Sequence, residues 1–513
     1  MEYTFKNVTS MSFAWPIEPF RVEVAVPMWV IIGYTVLVPT LSLLPSVGPF
    51  NEKRVLQIGL LLTVGAVLLA SSRARCRWLT EVRRLPSLAR WGLSLVLVGG
   101  LLSSLRAPAT FYAFLEASHF LLLFATAGIV AAAVRRAPRQ TEQKILGAVA
   151  LSAVLYAVFF SVGYGMHLTY EEIRLWPEGG TNYVNIRNFN HYQTWTLPLL
   201  GGVLLAIPQR WKAARGGVFG LVALWWALVF ASNVRGTIVA MGVAAVGVGL
   251  LFRQHAKPWL LVQAVGLLAG LGLYYLLFLT EGSGPPVVER FSEGGQYSKR
   301  LQLWWTSLEM AWASPWLGAG PMHFAWPPYR FATAGSPHNA FLQWLAEWGV
   351  PSTGIMSGLA VWGGWRWMDQ ERRASEAASA ASNGVRVALV ASVLAAGAHA
   401  MVSGLLVAPI SQIFLVLVGG WAWGRYQYER EARSETSTMT HVTLCILFVS
   451  GMAVVGSGLK DLSNVDERRD ALLEAVDRHR FSPRYWGQGF LHVRDPSVIK
   501  QAHQRKGTTV ESR

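Results

Sequence analysis

The chain is poor in charge. Asp, Glu, Lys and Arg together make up 14% of its 513 residues, against 52% hydrophobic residues. A soluble globular chain carries about a quarter charged residues and much shorter apolar runs. That deficit excludes a soluble protein and points to one that crosses a membrane many times. Carboxylates are the scarcer sign, 29 against 45 Lys and Arg, which leaves a formal charge of +16. In a soluble chain such an excess suggests nucleic acid. In a membrane protein it belongs to cytoplasmic loops and anionic lipid headgroups, so membrane lipids are expected as partners and nucleic acid is not. The two cysteines, Cys76 in a basic segment and Cys445 in an apolar run, are too few for a disulfide framework, and no bridge between them is expected. No His, Asp, Glu or Cys cluster has metal-ligand spacing, so neither a metal nor another cofactor is expected. A nucleotide-binding glycine loop and an internal repeat are also missing. The N-terminal MEYTFKNVTS lacks a basic n-region and a small-residue cleavage site, so the first apolar stretch reads as an uncleaved span.

What is there in abundance is apolar runs near bilayer length, at 22–44, 55–72, 91–105, 110–134, 145–165, 192–207, 217–231, 236–252, 259–279, 340–365, 386–405, 409–424 and 441–458. The fold class expected is all-α, a polytopic transmembrane bundle of about 12–13 spans. Basic connections fall at Arg73–Arg90, Arg135–Lys144, Arg210–Arg215, Arg253–Lys257, Arg366–Arg386 and Arg425–Arg433, on every second connection. One inside-positive assignment satisfies all of them. It puts the N-terminus in the cytoplasm, and the loops 166–191, 232–235 and 280–339 outside together with the segment after Lys460. The chain then divides into N-terminal spans over 1–279, a large outer loop over 280–339, C-terminal spans over 340–459 and a short outer tail over 460–513. Ala374–Asn383 reads as a flexible cytoplasmic linker and Asp466–Arg480 as a short amphipathic helix. Pro483, Trp486 and Gly489 are expected to pack against the membrane surface.

The loop 280–339 is far longer than a connection requires, which in a membrane protein is a sign of function. It is rich in Arg, Trp, Gly and Pro and ends in Ser336-Pro337-His338-Asn339 at the start of the next span. Outer arginines run against the inside-positive bias; Arg187 lies just before a span, Arg235 is wedged between two spans and Arg300 lies within the long loop. A guanidinium offers paired donors in a planar fork and stays charged, which suits a lipid-linked diphosphate. Equally, each can cap a helix or snorkel to headgroups. His338 can act as a general base on a sugar hydroxyl, or bond backbone at a helix start that Asn339 caps. Glu116 and His119 share a helix face, and the preferred reading is a buried pair that orients helices. His399 can line the cavity or pack in the interior. His191, beside Asn190, is expected to serve as a structural cap.

The stretches RLQLWWTSLEMAWASPWLGAGPMHFAW and SPHNAFLQWLAEWGVP resemble the signature region of the O-antigen ligase/polymerase superfamily: Arg, then Trp, a Pro-x-x-Gly-x-Gly turn and a His-Asn-x-x-Leu-Gln helix start. NIRNFNHYQTW and SNVRGTIVA sit where that family has its upstream Asn/Arg and Ser-x-x-Arg-Gly elements, so the resemblance covers roughly 180–365. It implies a metal-independent glycosyltransferase of the bacterial inner membrane with its active site facing the periplasm. Such an enzyme moves a glycan from an undecaprenyl-diphosphate carrier to lipid A–core, a growing glycan or a protein hydroxyl. Carried over by motif, Arg235, Arg300 and His338 become catalytic residues. The arginines, with Arg187, bind the donor diphosphate, and Asn339 and Asn190 support the acceptor. The alternatives within the superfamily are an O-antigen or exopolysaccharide polymerase and a protein O-oligosaccharyltransferase. From another class stands a transporter of lipid-linked glycan, which the missing repeats and broken midplane helices disfavour.

Overall fold

A chain with this many apolar runs can satisfy its backbone in a bilayer only by closing each run into a helix. The computed structural model describes residues 22–170, 182–279, 295–326, 334–428, 438–464, 483–487 and 489, and within them all regular secondary structure is helical, with no strand. The helices are α1 (Val22–Leu37), α2 (Pro49–Ala70), α3 (Ser72–Arg84), α4 (Ser87–Arg106), α5 (Thr110–Arg136), α6 (Pro138–Thr169), α7 (Ile186–Ala206) and α8 (Lys212–Ala231). There follow α9 (Arg235–Phe252), α10 (Lys257–Tyr274), α11 (Gly295–Ala313), α12 (Ala340–Ser375), α13 (Ala380–Ala400), α14 (Pro409–Arg425) and α15 (Thr438–Ser457). The amphipathic helix expected over Asp466–Arg480 lies outside the described residues.

Among the described residues, 8 helices are long and apolar enough to cross a membrane, and the run Arg235–Phe278 counts as one of them. That run would be about 66 Å long if straight, roughly twice a bilayer core. It reverses instead at Arg253, whose φ of +50° breaks the helix. Gly236 at its start packs on His399, and Leu277 near its end accepts a hydrogen bond from the Tyr164 hydroxyl at the end of α6. α7 and α12 are not among the 8 because they carry polar residues into the interior, and α14 is one residue short at 17. Over Phe189–Leu204 α7 is buried on all sides, with α13, α8 and α6 packed around it.

The two ends of the bundle differ in character. At one end the basic connections meet. Arg425 bridges Glu142 and Glu371, Arg386 reaches Glu371 at 2.5 Å, and Arg84 and Arg135 share Glu81 at 2.6 and 2.8 Å. His255 of the Arg253 turn faces Ser375 there at 3.4 Å. The linker expected over Ala374–Asn383 is corrected at this end. α12 runs to Ser375 and α13 starts at Ala380, and the Asn383 amide clips the turn by donating to Ser375 O at 3.0 Å. Ser379, accepting from Ser382 N–H at 3.4 Å, caps α13, so the helix signal in this alanine-rich stretch outweighs its low complexity.

At the other end gather the starts of α2, α5, α7, α9, α12 and α14. α12 is broken at Gly349, φ +78°, two residues before Pro351. The break strands carbonyls at Ala346 and Glu347, which accept from Ala319 N–H at 2.9 Å and Gly320 N–H at 3.1 Å, while Val350 N–H donates to Pro315 O at 2.8 Å. The Pro315–Gly320 turn is therefore laid backbone to backbone against the broken helix. A Cβ on Gly318, φ +71°, would come within 2.5 Å of the Glu347 carbonyl oxygen. Gly318→Ala should destabilise the protein by about 1–3 kcal/mol from the left-handed backbone alone, more once the clash is added. Gly147→Ala, at a helical site open to space, should be neutral or slightly stabilising. Thermal unfolding of the two purified variants checks this, and equal midpoints would refute it.

Candidate active site

The expected site residues Arg187, Arg235, His338 and Asn339 stand at helix starts. Asn185 caps α7 by accepting from Asn188 N–H at 3.0 Å, which places Arg187 in the first turn. α9 begins with Arg235 itself, just after Asn233 in left-handed conformation, φ +51°. Asn339 caps α12 by accepting from Leu342 N–H at 2.9 Å, and His338 before it is held at φ +55°. A bulky residue in that region costs about 1–3 kcal/mol unless its surroundings fix it. Here they do. Trp304 of α11 donates to Pro337 O at 3.2 Å, and Gly404 lies so close that a Cβ there would be 3.7 Å from His338 Nδ1 and 3.2 Å from Ser336 Oγ.

α11 brings Arg300 to this place. Leu303 and Met310 bury one face of the helix against Phe324 and Ala346. The opposite face exposes Leu301, Trp305, Leu308 and Trp312 at helical spacing. Arg300 and Arg187 both act on the His338 imidazole. Burial first, then the charges of Arg187 and Arg300, push its pKa down to about 4. Near neutral pH the ring is uncharged and keeps a lone pair.

Two further histidines complete the floor. His191 meets Ser403 Oγ at 2.7 Å, His399 Nδ1 meets Thr194 Oγ1 at 2.7 Å, and the two rings sit edge to face at 5.3 Å. Thr194 gives its proton to Asn190 O at 2.8 Å and so accepts from His399 Nδ1. The lone pair of His399 then lies on Nε2, 2.9 Å from where a Gly236 side chain would begin. Arg300 stands near enough to His399, and Arg187 to His191, for their charges to act on those rings. Arg235 joins the group through its neighbour Gly236. Asn190 is fully buried within α7, donating to Gln193 Oε1 at 2.7 Å, so its place is beneath the site. His191 is held to the α13–α14 connector and does not cap a helix, which corrects that expectation.

Cations at helix starts oppose the helix dipole, which favours anions there by about 0.3–1 kcal/mol. Arg187 in the first turn of α7 and Arg235 at the head of α9 are placed against it. An anion bound among them would meet helix N-termini and guanidinium groups together.

A second polar cluster adjoins the first, and the sequence reading missed it. Arg484, 3% exposed, donates to both carboxylate oxygens of Glu116 at 2.7 and 2.8 Å and of Glu347 at 2.9 and 2.7 Å. Arg54, 1% exposed, donates to Gln57 and Gln412 at 2.6 Å each, to Val407 O at 2.7 Å and to Tyr485 O at 3.0 Å. Its Nη1 also approaches His119 Nε2 at 3.2 Å. Glu116 and His119 thus do not pair with each other; each serves a different arginine. The tail expectation is corrected as well. Trp486 is 2% exposed and Gly487 N–H donates to Asn51 Oδ1 at 2.6 Å, so this part of the tail enters the bundle. The available signal was FNEKRVLQ, in which charges sit at a span start on the side expected to be outer, against the inside-positive bias.

No curated protein matches the chain. Residues 219–357, from within α8 to just past the break in α12, match the family model described as O-Antigen ligase. The matched stretch holds Arg235, Arg300, His338, Asn339 and Glu347, while Arg187, His399, Arg54 and Arg484 stand outside it. The chain is thus a multi-pass membrane protein whose residues 219–357 are similar to the O-Antigen ligase family.

Proposed function

We propose that this protein transfers a glycan from an undecaprenyl-diphosphate carrier to an acceptor hydroxyl, at the periplasmic face of the bacterial inner membrane. The observation that carries the reading is the neutral His338 imidazole set between the charges of Arg187 and Arg300 at a cluster of helix starts. Arg235, Arg300 and Arg187 bind the diphosphate. As the acceptor oxygen attacks the anomeric carbon, its proton passes to His338. The bond from that carbon to the phosphate oxygen breaks, and the negative charge that develops on the leaving diphosphate is stabilised by the arginines. A single displacement of this kind inverts the anomeric centre. Much of the rate comes from holding two anchored substrates together, and no metal is assigned a role. The exposed Leu301, Trp305, Leu308 and Trp312 stripe suits the bilayer interface, with aromatic rings at headgroup depth. That seating would put Arg300 at the height of a lipid diphosphate. Lipid A–core, a growing glycan and a protein hydroxyl are the acceptors to compare.

Orientation is tested by reporter fusions after Gly284 and after Lys460, both of which should read periplasmic. A cytoplasmic reading at either would overturn the topology.

Arg235→Ala and Arg300→Ala should abolish transfer in protein that still folds, and Lys at either position should recover only part of it, because the bidentate fork is lost. His338→Ala should lower turnover by about 10²–10⁴-fold while donor still binds. Purified protein with lipid-linked glycan and each acceptor, with and without EDTA, is the assay. Full activity in both arginine variants would refute the diphosphate site, and movement of intact carrier across vesicles without transfer would favour a transporter.

The pH profile follows from the His338 environment. A base works only when deprotonated, so kcat/KM should hold from neutral pH downward and fall as pH passes about 4. Bound diphosphate adds negative charge that favours the imidazolium, so the acid limb of kcat should lie higher. Arg187→Gln removes a positive neighbour and should move the kcat/KM limb upward. A limb unmoved by that change would detach His338 from the acid step.

A further inference from the structure

We infer that the C-terminal segment around Arg484 is a strap that positions the active site, and that Arg484 is a positioning residue for the transfer step. The inference rests on the proposed function for its kinetic part and on geometry alone for the rest. Arg484 and Tyr485 tie together walls that the chain otherwise leaves separate. The Arg484 guanidinium holds Glu116 of α5 and Glu347 of α12. Glu347 Oε1 in turn accepts from Phe324 N–H at 3.0 Å, so the same carboxylate fixes the loop that follows the Pro315–Gly320 turn. Two turns ahead of Glu347 lies the capped start of α12 with His338. On the other side the Tyr485 carbonyl takes Arg54 Nε, and Arg54 grips Val407 O of the connector whose Ser403 and Gly404 touch His191 and His338.

The charges close as well. Glu116 and Glu347 are buried, and as ionised groups their two charges match those of Arg54 and Arg484, with buried Asp461 near Tyr485. Without Arg484, two buried carboxylates would face one guanidinium that donates to neutral groups, and one carboxylate would have to take a proton or leave the interior. Either change pulls Glu347 from Phe324 N–H and loosens α12 beneath His338. A displacement of about 1 Å at a catalytic group can cost on the order of a hundredfold in rate.

The test uses the full-length protein in nanodiscs. Hydrogen exchange without substrate should show faster exchange at the amides of Ala319, Gly320 and Phe324 in Arg484→Ala than in wild type. Transfer should fall between ten- and a hundredfold in kcat with donor KM within about threefold, since the arginines that bind diphosphate are untouched. Arg484→Lys should recover part of the rate. Arg484→Ala with Glu116→Gln should recover more than Arg484→Ala alone, because it removes the surplus charge; mere misfolding would not be rescued in this way. Unchanged exchange together with wild-type kcat in Arg484→Ala would overturn the strap. A wild type that transfers no glycan, with exchange altered as expected in the variant, would refute the proposed function and leave the strap standing.

Discussion

In hydrocarbon a backbone N–H or C=O without a partner costs several kcal/mol, and this constraint governs every irregular segment at the polar end of the bundle. The break in α12 at Gly349 is tolerated because Ala319 and Gly320 donate to the carbonyls it strands. The non-helical connector between α13 and α14 is tolerated because Arg54 takes Val407 O and the Gln412 amide takes Leu406 O at 2.7 Å. His323 fills the same need between α4 and α5. Its Nδ1–H donates to Pro321 O at 2.9 Å and its Nε2 accepts from Ala109 N–H at 3.0 Å. Non-helical backbone is what lets side chains from α7, α9, α11, α12 and α13 converge, and buried polar side chains are what permit it.

The arginines at this end divide by what surrounds them. Arg54 and Arg484 sit in the interior, where carboxylates, amides and a backbone carbonyl pair their charges, as a buried charge requires. Arg187 is exposed, and Arg235 and Arg300 are half-exposed. Around the second set stand imidazoles and hydroxyls of His338, His399, Thr194 and Ser403. Water, and hence a ligand, reaches the second set and not the first. Phosphate is the ligand chemistry proposed for that set, because its charge would relieve the placement of Arg187 and Arg235 against the helix dipoles.

Hydropathy and loop charge made the bundle legible. Each basic connection expected on one side that enters the ion pairs of Glu81, Glu142 and Glu371 does so at one end of the molecule. The motif residues were legible for a local reason: His338, Asn339 and Arg300 lie within one stretch whose Gly and Pro spacing announces a turn. What stayed hidden joins residues far apart in sequence. Arg484 meets Glu116 and Glu347 across 368 and 137 positions, and His399 meets Thr194 across 205. No periodicity or spacing reports such a contact. The tail was misjudged because a polar segment reads as surface unless its partner carboxylates are known.

The histidines show how the fold separates supporting rings from the one proposed as the base. His323 is fully enclosed and both of its nitrogens are occupied by backbone, so protonating it would break a bond that holds the α4–α5 turn. His119 lies against the Arg54 guanidinium and Gln412, inside the neutral cluster, where a further positive charge has no place. His338 alone among these three precedes its helix cap in a strained backbone, between a carbonyl pinned by Trp304 and the charges of Arg187 and Arg300. Those charges oppose a proton on the ring until an anion arrives beside them. Under the proposed mechanism, donor binding would both place the sugar and raise the basicity of His338, so the base would strengthen when there is a substrate to use it.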